Sequence, residues 1–349
     1  MEQRIKNITK KLAGLKKNKV GPARILIDPT DRCNLNCLFC WRNDSNQVTE
    51  EIRDERLLKL VDEASLLDVK EWIISGGGDP FSRKEIMLEL IKKIKKNKMW
   101  GQVITNGTLL NEEDIRKIVE SGWDQIQISV DGPKKIHDFL RNKAGTFDKV
   151  IYNLKCFEKY KKELKKDKPN IGFNVVLCNK NYKYISYLIK LAYKFNCNQV
   201  WFEMIAPWSE KARKLQFSEK EKKDLEKYIK KGKALAEKLN IWTNIHYYLP
   251  ENKTETHSQK KSINGTYCLA PWFSVKIHPT GATGPCCSFY RHESLGNIKN
   301  ETLNNIWFDG FEKLRKKMLN KNVPKYCEEC TEGQKKELDE IQSMLSLIK

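Results

Sequence analysis

The 349-residue chain lacks any apolar run able to cross a bilayer; stretches such as Trp72–Ile74 and Val175–Leu177 fall far below the ~20 residues required. The basic N-terminus is not followed by an apolar h-region or a small-residue cleavage site, so no signal peptide is visible. No G-x-G-x-x-G follows the first apolar strand and no G-x-x-x-x-G-K-[ST] occurs, which leaves dinucleotide-fold and phosphate-loop chemistry without support. Acid is also short, with 45 Asp and Glu against 65 Lys and Arg, a net charge of +20. The lysines are scattered over segments 10–19, 92–98, 155–168 and 220–233 rather than gathered in a tail. They read as a solvated surface, with attraction of an anionic substrate, a membrane surface or nucleic acid left open. With 40% hydrophobic and 10% aromatic residues the chain can build a core, which excludes a wholly disordered protein.

Eleven cysteines are present, and in a chain neither small nor visibly secreted they do not read as a disulfide framework. Three form Cys33-x3-Cys37-x2-Cys40, and Cys268, Cys286, Cys287, Cys327 and Cys330 lie towards the C-terminus. Thiolates clustered on short loops point to zinc or iron–sulfur. A structural zinc needs four ligands, and the first loop offers three with no nearby fourth; His137 is about a hundred residues away. Three thiolates on a cubane would leave one iron open to a small molecule.

Around that loop, apolar strands alternate with amphipathic helices. Strands are expected at 25–28, 71–75, 102–105, 125–130, 171–177 and 199–205, and helices at 55–66, 84–96, 112–121, 146–160 and 184–195. Near-continuous apolar strands predict a parallel α/β sheet covered on both faces. Six units with Gly- and Asp-rich turns predict a partial (β/α)6 TIM-like barrel over 23–250, the cysteine loop at a C-terminal strand end where such folds place their sites.

The motif order resembles the radical S-adenosylmethionine (SAM) superfamily. The cysteine loop with Phe39 before its last Cys, Gly76-Gly77-Gly78-Asp79 after the second strand, Thr105-Asn106-Gly107 after the third and Ser129-x-Asp131-Gly132 after the fourth carry the likeness. His137-Asp138-x2-Arg141 and Gly145-Thr-Phe-Asp148 extend it, over roughly residues 22–331 in all. The resemblance implies that Cys33, Cys37 and Cys40 hold a 4Fe–4S cluster whose open iron chelates SAM. One-electron reduction would then release a 5′-deoxyadenosyl radical that abstracts hydrogen from substrate. It implies that Gly77, Gly78 and Asp79 line the methionine end of SAM, Asp79 standing where the family usually has Glu. Asn106 would contact the cofactor, Ser129 and Asp131 would reach its ribose or carboxylate, and Arg141 would pair that carboxylate. Phe39 would flank the adenine and Asn179 would frame the adenosine.

Residues 251–349 are expected to form a linker, a hairpin module and a C-terminal helix. Cys268-x17-Cys286 encloses an alternating strand and the turn-rich Pro279–Pro285, a helix follows from about 303 to 319, and Cys327-x2-Cys330 closes the set. On spacing alone zinc is the default. Cys268-Leu-Ala-Pro-Trp272, Pro285-Cys-Cys287, Leu295-Gly-Asn-Ile298 and Ile306-Trp307 instead resemble the SPASM/Twitch modules of radical SAM enzymes. No cysteine follows Cys330, which fits the shorter Twitch form, with spacing like that of the aminocyclitol dehydrogenase member. The resemblance implies an auxiliary 4Fe–4S cluster on Cys268, Cys286, Cys327 and Cys330, with Cys287 an unassigned neighbour.

Cys156, Cys178 and Cys197 read as buried hydrophobes. Cys178 is also a candidate hydrogen-atom donor, and Glu203 and His246 are candidate bases near the barrel mouth. Ile5, Ile8, Leu12 and Leu15 give residues 1–22 a basic amphipathic helix, docked on the barrel or lying on a membrane. The first expectation for function is two-electron oxidation of a sugar-, aminocyclitol-like or other polar, anionic small molecule, the auxiliary cluster accepting an electron. The enzyme would be a cytoplasmic, oxygen-sensitive oxidoreductase served by a flavodoxin- or ferredoxin-type donor, with no nucleic-acid partner and no transmembrane segment. A peptide-modifying maturase, forming a crosslink or epimerising, stands second; no recognition domain precedes the barrel to favour it. A zinc-bearing nucleic-acid-binding protein is the alternative from another class.

Overall fold

The computed structural model describes residues 6, 8–12, 20–44, 50–207, 209–250, 268–287, 289, 293–320, 322, 324, 327, 338–341 and 343. Strands β1 (Arg24–Ile27), β2 (Glu71–Ile74), β3 (Trp100–Thr105), β4 (Gln125–Ser129), β5 (Asn170–Leu177), β6 (Gln199–Met204) and β7 (Trp242–Thr243) are followed by β8 (Ser274–Ile277) and β9 (Thr283–Gly284). Between them run helices α1 (Asp54–Leu66), α2 (Lys84–Lys96), α3 (Glu112–Glu120), α4 (Lys134–Arg141), α5 (Thr146–Glu163), α6 (Ile185–Lys194) and α7 (Glu219–Lys238), with α8 (Glu312–Leu319) near the C-terminus. The sheet order is β7-β6-β5-β4-β3-β2-β1-β8-β9, parallel except for β8–β9. It is an α/β fold of the partial-barrel kind.

The helices form because their apolar residues recur every three to four positions, and several are capped. Asn111 and Asp114 make a capping box at α3, and Ser218 with Glu221 makes another at α7. Helix α2 buries Ile86, Met87, Leu90, Ile91 and Ile94, each worth roughly 1.5–3 kcal/mol on removal from water. They belong to one core with Ile25, Ile27, Trp72, Ile74, Val103, Ile126, Ile128, Phe173, Val175, Val200 and Phe202, the outward residues of the strands.

The opposite strand face departs from expectation. It is not a second apolar face covered by helices. It carries Arg24, Glu71, Gln102, Gln125, Gln127, Ser129, Asn174, Gln199, Trp201 and Glu203, with Leu26, Ile73, Ile104 and Val176 among them. The side chains alternate because only one face of a partial barrel packs on helices; the other lines its interior.

The C-terminal unit also differs. Strand β8 pairs with β1 along Arg24↔Ser274 to Ile27↔Ile277, so one sheet runs across the expected boundary between 23–250 and 251–349. Arg56 of α1 donates to the carbonyls of Ile298 (2.6 Å) and Glu301 (2.9 Å), and Glu63 accepts from the Leu303 N–H (2.8 Å). The single helix expected at 303–319 is broken by a π-helical segment, Ile306–Gly310. A Cβ on Gly310 would lie 2.2 Å from the Leu295 carbonyl oxygen, a backbone approach that only glycine permits. The expected linker at 251–267 lies outside the described residues.

At the N-terminus, helical Ile8 and Leu12 are buried against Ala23, Ala270, Phe273, Leu338 and Ile341. Their apolar stripe is docked, which removes the face that a membrane-surface helix needs; Ile5 and Leu15 lie outside the described residues. No described helix is long and apolar enough to cross a membrane.

Two buried ion pairs fasten β1 on its inner face. Arg24 pairs with Glu71 of β2, and Lys276 of β8 donates to Asp28 at 2.5 Å, where Ser75 also donates at 3.0 Å. Removing one partner strands a buried charge. Lys276→Met is therefore expected to lower unfolding free energy by about 3–5 kcal/mol in urea titration. Asp28→Leu combined with Lys276→Met is expected to recover most of that loss.

Candidate functional site

The cysteine loop leaves the C-terminal end of β1 and is held by its neighbours. Leu38 donates from its backbone to Leu140 (2.9 Å), and Cys40 to Cys37 (3.1 Å). The Cys33 sulfur accepts from the Leu35 N–H (3.5 Å) and Asn106 Nδ2 (3.8 Å), and the Cys37 sulfur from Arg141 Nη1 (3.7 Å). Burial pushes the Cys37 thiol up to about 11 against the pull of Arg141, and burial raises Cys33 as well. Among the described residues no three His, Cys, Asp or Glu side chains are gathered tightly enough to hold a single metal ion.

The glycine turn after β2 packs on the loop's entrance. Gly78 donates to Thr30 O and Asp79 to Arg32 O, both at 2.9 Å, and a Cβ on Gly78 would sit 2.0 Å from the Arg32 carbonyl oxygen. Asp79 is buried and committed to the protein. Its oxygens accept from Phe81 N (3.0 Å), Thr105 Oγ1 (2.9 Å) and Asn106 N (2.7 Å), fastening the β2 turn to the end of β3. Asn106 in turn donates to Asn34 Oδ1 (3.0 Å) as well as to Cys33. Asn34, which the sequence did not single out, is a second link between the loop and the Thr105-Asn106 corner.

Asp131 and Arg141, expected on the cofactor, face each other. Arg141 Nε donates to Asp131 Oδ2 at 2.7 Å, and Asp131 Oδ1 accepts from Val176 N at 3.1 Å. The Arg141 guanidinium also lies 5.1 Å from the Phe39 ring centroid. This buried chain, Asp131–Arg141–Cys37, supports the middle cysteine from α4. His137 Nδ1 accepts from Asp131 N at 3.2 Å, which fixes its neutral tautomer. Ser129 ends β4 with no hydrogen-bond partner for its hydroxyl among the described residues. Asn179 donates to Lys214 O (3.3 Å) while its Oδ1 is buried without a partner. Cys178 is sealed among Leu140, Ile205, Ala212, Leu215 and Phe39, a placement that suits a core thiol and not a hydrogen-atom donor.

Glu203 lies on the inner face of β6, registered with Val176. It accepts from the Trp201 indole, which stacks on Trp242 with centroids 5.5 Å apart; burial raises its carboxyl, the indole bond opposing. His246 sits beyond β7 with its ring edge-on to Tyr247 at 4.6 Å. Asn244 anchors that segment by paired 2.8 Å bonds to the Phe202 backbone. The segment carrying His246 is therefore tied to the half of β6 that carries Glu203.

Of the auxiliary set, Cys268 and Cys286 pack against one apolar cluster with Phe289, Leu314 and Met318. Helix α8 supplies Leu314 and Met318 and leads towards Cys327, whose thiol burial pushes up to about 11. Cys287 is exposed, and Cys330 lies outside the described residues. Because β9 returns antiparallel to β8, Cys268 and Cys286 both fall towards the N-terminal ends of β8 and β1. Cys33 leaves the opposite end of β1. The two cysteine sets bracket the barrel interior.

The family model described as radical SAM superfamily matches residues 27–192, and that of the SPASM iron–sulfur cluster-binding domain matches 268–331, about two thirds of the chain together. The chain belongs to the radical SAM superfamily. It is 27% identical over 167 residues to the tungsten-containing aldehyde ferredoxin oxidoreductase cofactor-modifying protein of Pyrococcus furiosus, covering 48% of this chain and 47% of that one. It is 26% identical over 328 residues to the cysteine-type anaerobic sulfatase-maturating enzyme of Clostridium perfringens, covering 82% and 80%. The chain spans about half the length of the first curated relatives it matches. Among solved structures, SuiB of Streptococcus suis bound to S-adenosylmethionine superposes with a TM-score of 0.66 at 18% identity, covering 88% of this chain and 71% of that one.

These domains carry SAM and two 4Fe–4S clusters. The residues present fit them: of three thiols on one loop, Cys33 and Cys37 receive N–H donors suited to thiolate charge, and a glycine turn without side chains lies beside them. The zinc-bearing nucleic-acid-binding alternative loses the cysteines it rested on.

Two outcomes are expected. Burial, with the charge of Arg141 next, holds the His137 imidazole down at about 4. Its folded value lies below its unfolded one, so the stabilisation is complete above about pH 6.5 and is lost as pH falls towards 4, on the order of 3 kcal/mol. Unfolding titrations across that window are expected to show a flatter acid limb in His137→Gln. Anaerobic reconstitution is expected to give about eight irons per chain, and about four when Cys33, Cys37 and Cys40 are replaced by Ala or when Cys268 and Cys286 are.

Proposed function

We propose that this enzyme activates a C–H bond of a peptide segment held inside the barrel and oxidises it by two electrons. The observation that carries the proposal is the pattern of half-buried residues. Apart from Met204, the outward residues of β1 to β6 are buried, whereas Leu26, Ile73, Ile104, Asn174, Val176, Gln199, Trp201 and Glu203 remain half-buried, all on the inner face. They lie on β1, β2 and β3 on one side and on β5 and β6 on the other, flanking β4, whose inner residues are buried. Leu26, Ile73 and Ile104 make one wall apolar; Asn174, Gln199, Trp201 and Glu203 make the other hydrogen-bonding and aromatic. An amphipathic slot of this kind suits a side chain with its adjoining amides.

The interior cations already face carboxylates, Arg24 at Glu71 and Lys276 at Asp28. An anionic ligand would have to break a buried pair, which weighs against the anionic substrate expected from the net charge. A sugar- or aminocyclitol-like molecule would leave the apolar wall without a partner. The sulfatase-maturating relative, aligned over 82% of the chain, supports a protein substrate.

When bound, the reduced cluster and SAM supply hydrogen-atom abstraction at the C-terminal mouth of the strands. The protein's own part is to exclude water, present one C–H bond and take a proton. We assign Cys33, Cys37 and Cys40 to the SAM-binding cluster, Cys268, Cys286, Cys327 and Cys330 to the auxiliary one, and the substrate proton to Glu203. Once the C–H hydrogen atom has been removed, the adjoining O–H, S–H or N–H of the substrate would give its proton to Glu203 and the radical its electron towards the auxiliary cysteines at the other end, leaving a carbon–heteroatom double bond. The test is a screen of peptides labelled with deuterium at side-chain carbons, scored by label in 5′-deoxyadenosine and by loss of one deuterium and one hydrogen from the peptide. Glu203→Gln is expected to preserve deuterium transfer while lowering product formation at least tenfold. Transfer from polyols or aminocyclitols, with none from peptides, would refute the peptide assignment.

A further inference from the structure

The carboxylate assigned to the substrate proton is held by a neighbour on its own strand. Trp201 and Glu203 are two residues apart in β6, so both side chains leave the sheet on the inner face. The Trp201 indole Nε1–H donates to Glu203 Oε1, while Oε2 makes no hydrogen bond among the described residues. Burial raises this carboxyl, the indole bond opposes that, and no charged group among the described residues contributes. The titratable groups on the elements around it are engaged elsewhere. On β5 its partner in register is Val176, whose N–H goes to Asp131, and Asp131 is paired with Arg141. Beyond β7, His246 lies edge-on to Tyr247, Tyr247 donates to Glu340 Oε1 (3.1 Å), and Tyr248 donates to Phe202 O (2.8 Å).

The indole is itself fixed. Its ring stacks on Trp242 with 17° between the two planes. Trp242 is carried by β7, which is anchored to the β6 backbone through Gln199↔Trp242 and Val200↔Thr243. Asn244, next along the chain, adds its two bonds to the Phe202 backbone. The stack sets the plane of the Trp201 ring, and that plane sets the direction of its N–H. An indole N–H is a donor only, so the oxygen it meets must remain an acceptor. Oε1 is thereby withheld from the substrate proton, and Oε2 is left to take it. The same bond favours the ionised carboxyl, the form a base needs before it acts.

We propose that Trp201 is a positioning residue for the proton step: its indole N–H holds Glu203 Oε1, so that Oε2 receives the proton from the substrate's O–H, S–H or N–H. This inference rests on the reading that Glu203 is the base. In that step the heteroatom–hydrogen bond breaks and an Oε2–H bond forms. The electron of the substrate radical passes to the auxiliary 4Fe–4S cluster, and a carbon–heteroatom double bond remains. Trp201 gives up no proton of its own and acts through Glu203.

The experiment titrates the Glu203 carboxyl of the reconstituted full chain by pH-dependent infrared difference spectroscopy, its band identified by loss in Glu203→Gln. Trp201→Phe keeps an aromatic ring against Trp242 and removes the donor. It is expected to lower the ionisation constant of that carboxyl about tenfold, a midpoint about one pH unit higher. A tryptophan isostere at position 201, with sulfur in place of the ring N–H, keeps the shape as well and is expected to give the same shift. Trp242→Phe leaves the N–H in place and is expected to move the midpoint far less. With peptides that pass deuterium to 5′-deoxyadenosine, Trp201→Phe is expected to lower product per deuterium transferred about tenfold below the parent midpoint. That loss is expected to disappear as pH rises past the variant's own midpoint. An unmoved midpoint in Trp201→Phe and in the isostere overturns the inference, as does an equal shift in Trp242→Phe. A Glu203→Gln variant that still forms product overturns the underlying reading instead.

Discussion

Strand β1 is four residues long, and its register between β2 and β8 is the constraint on which the rest depends. Its backbone is hydrogen-bonded on both sides, so neither neighbour can shift without breaking a ladder. A one-residue slip would also turn Arg24 and Asp28 into the helix layer and Ile25 and Ile27 into the interior. The two inner-face ion pairs make that slip more costly, since each joins β1 to a different neighbour. Buried pairs add little net stability once desolvation is counted. Their value here is that charge matches charge in only one alignment. That alignment delivers Cys33 at one end of β1 and brings the auxiliary module to the other.

The loop at the upper end is positioned mainly from outside itself. Asp79 ties the second turn to the third, Asn106 carries that corner to Cys33, and Asp131 with Arg141 carries α4 to Cys37. Successive strands thus each contribute a fixed donor or a carboxylate that orients one. This accounts for Asp in place of the family's usual Glu. The shorter side chain reaches the Phe81, Thr105 and Asn106 donors beside it and closes the corner.

Much of this was legible in the sequence because it depends on spacing. Cysteine intervals, the glycine turn, the Asn106 corner and the alternation of strands and helices are local patterns, and the family match and sheet follow them. The addition of β8 to the β1 edge was not legible, since it joins residues 24–27 to 274–277 and no local signal encodes that pairing. The polar inner face was partly visible. Gln125, Gln127 and Ser129 alternate with Ile126 and Ile128, a period of two obscured in β1 and β2 by Leu26 and Ile73. The partnership of Asp131 with Arg141 was hidden for another reason. Motif resemblance says which residues gather at a site, but only coordinates say which of them neutralise each other. Cys178 shows the same limit, since a thiol at a strand end can face either a cavity or a core.

The net charge of +20 takes a different meaning once the interior is known. The lysines of α7, such as Lys220, Lys223, Lys227 and Lys231, are exposed, whereas Arg24 and Lys276 inside the barrel face carboxylates. Surface charge of one sign acts over about a Debye length, ~8 Å at physiological salt, and so influences how partners approach. It has little hold on a ligand already within the barrel, where the immediate groups are amides, indoles and branched aliphatics. Attraction at the surface and selection in the slot are therefore separate properties of this chain. The second is set by the half-buried residues of the inner face, where a misplaced polar group meets Leu26 and Ile73 on one wall or an unmatched amide on the other.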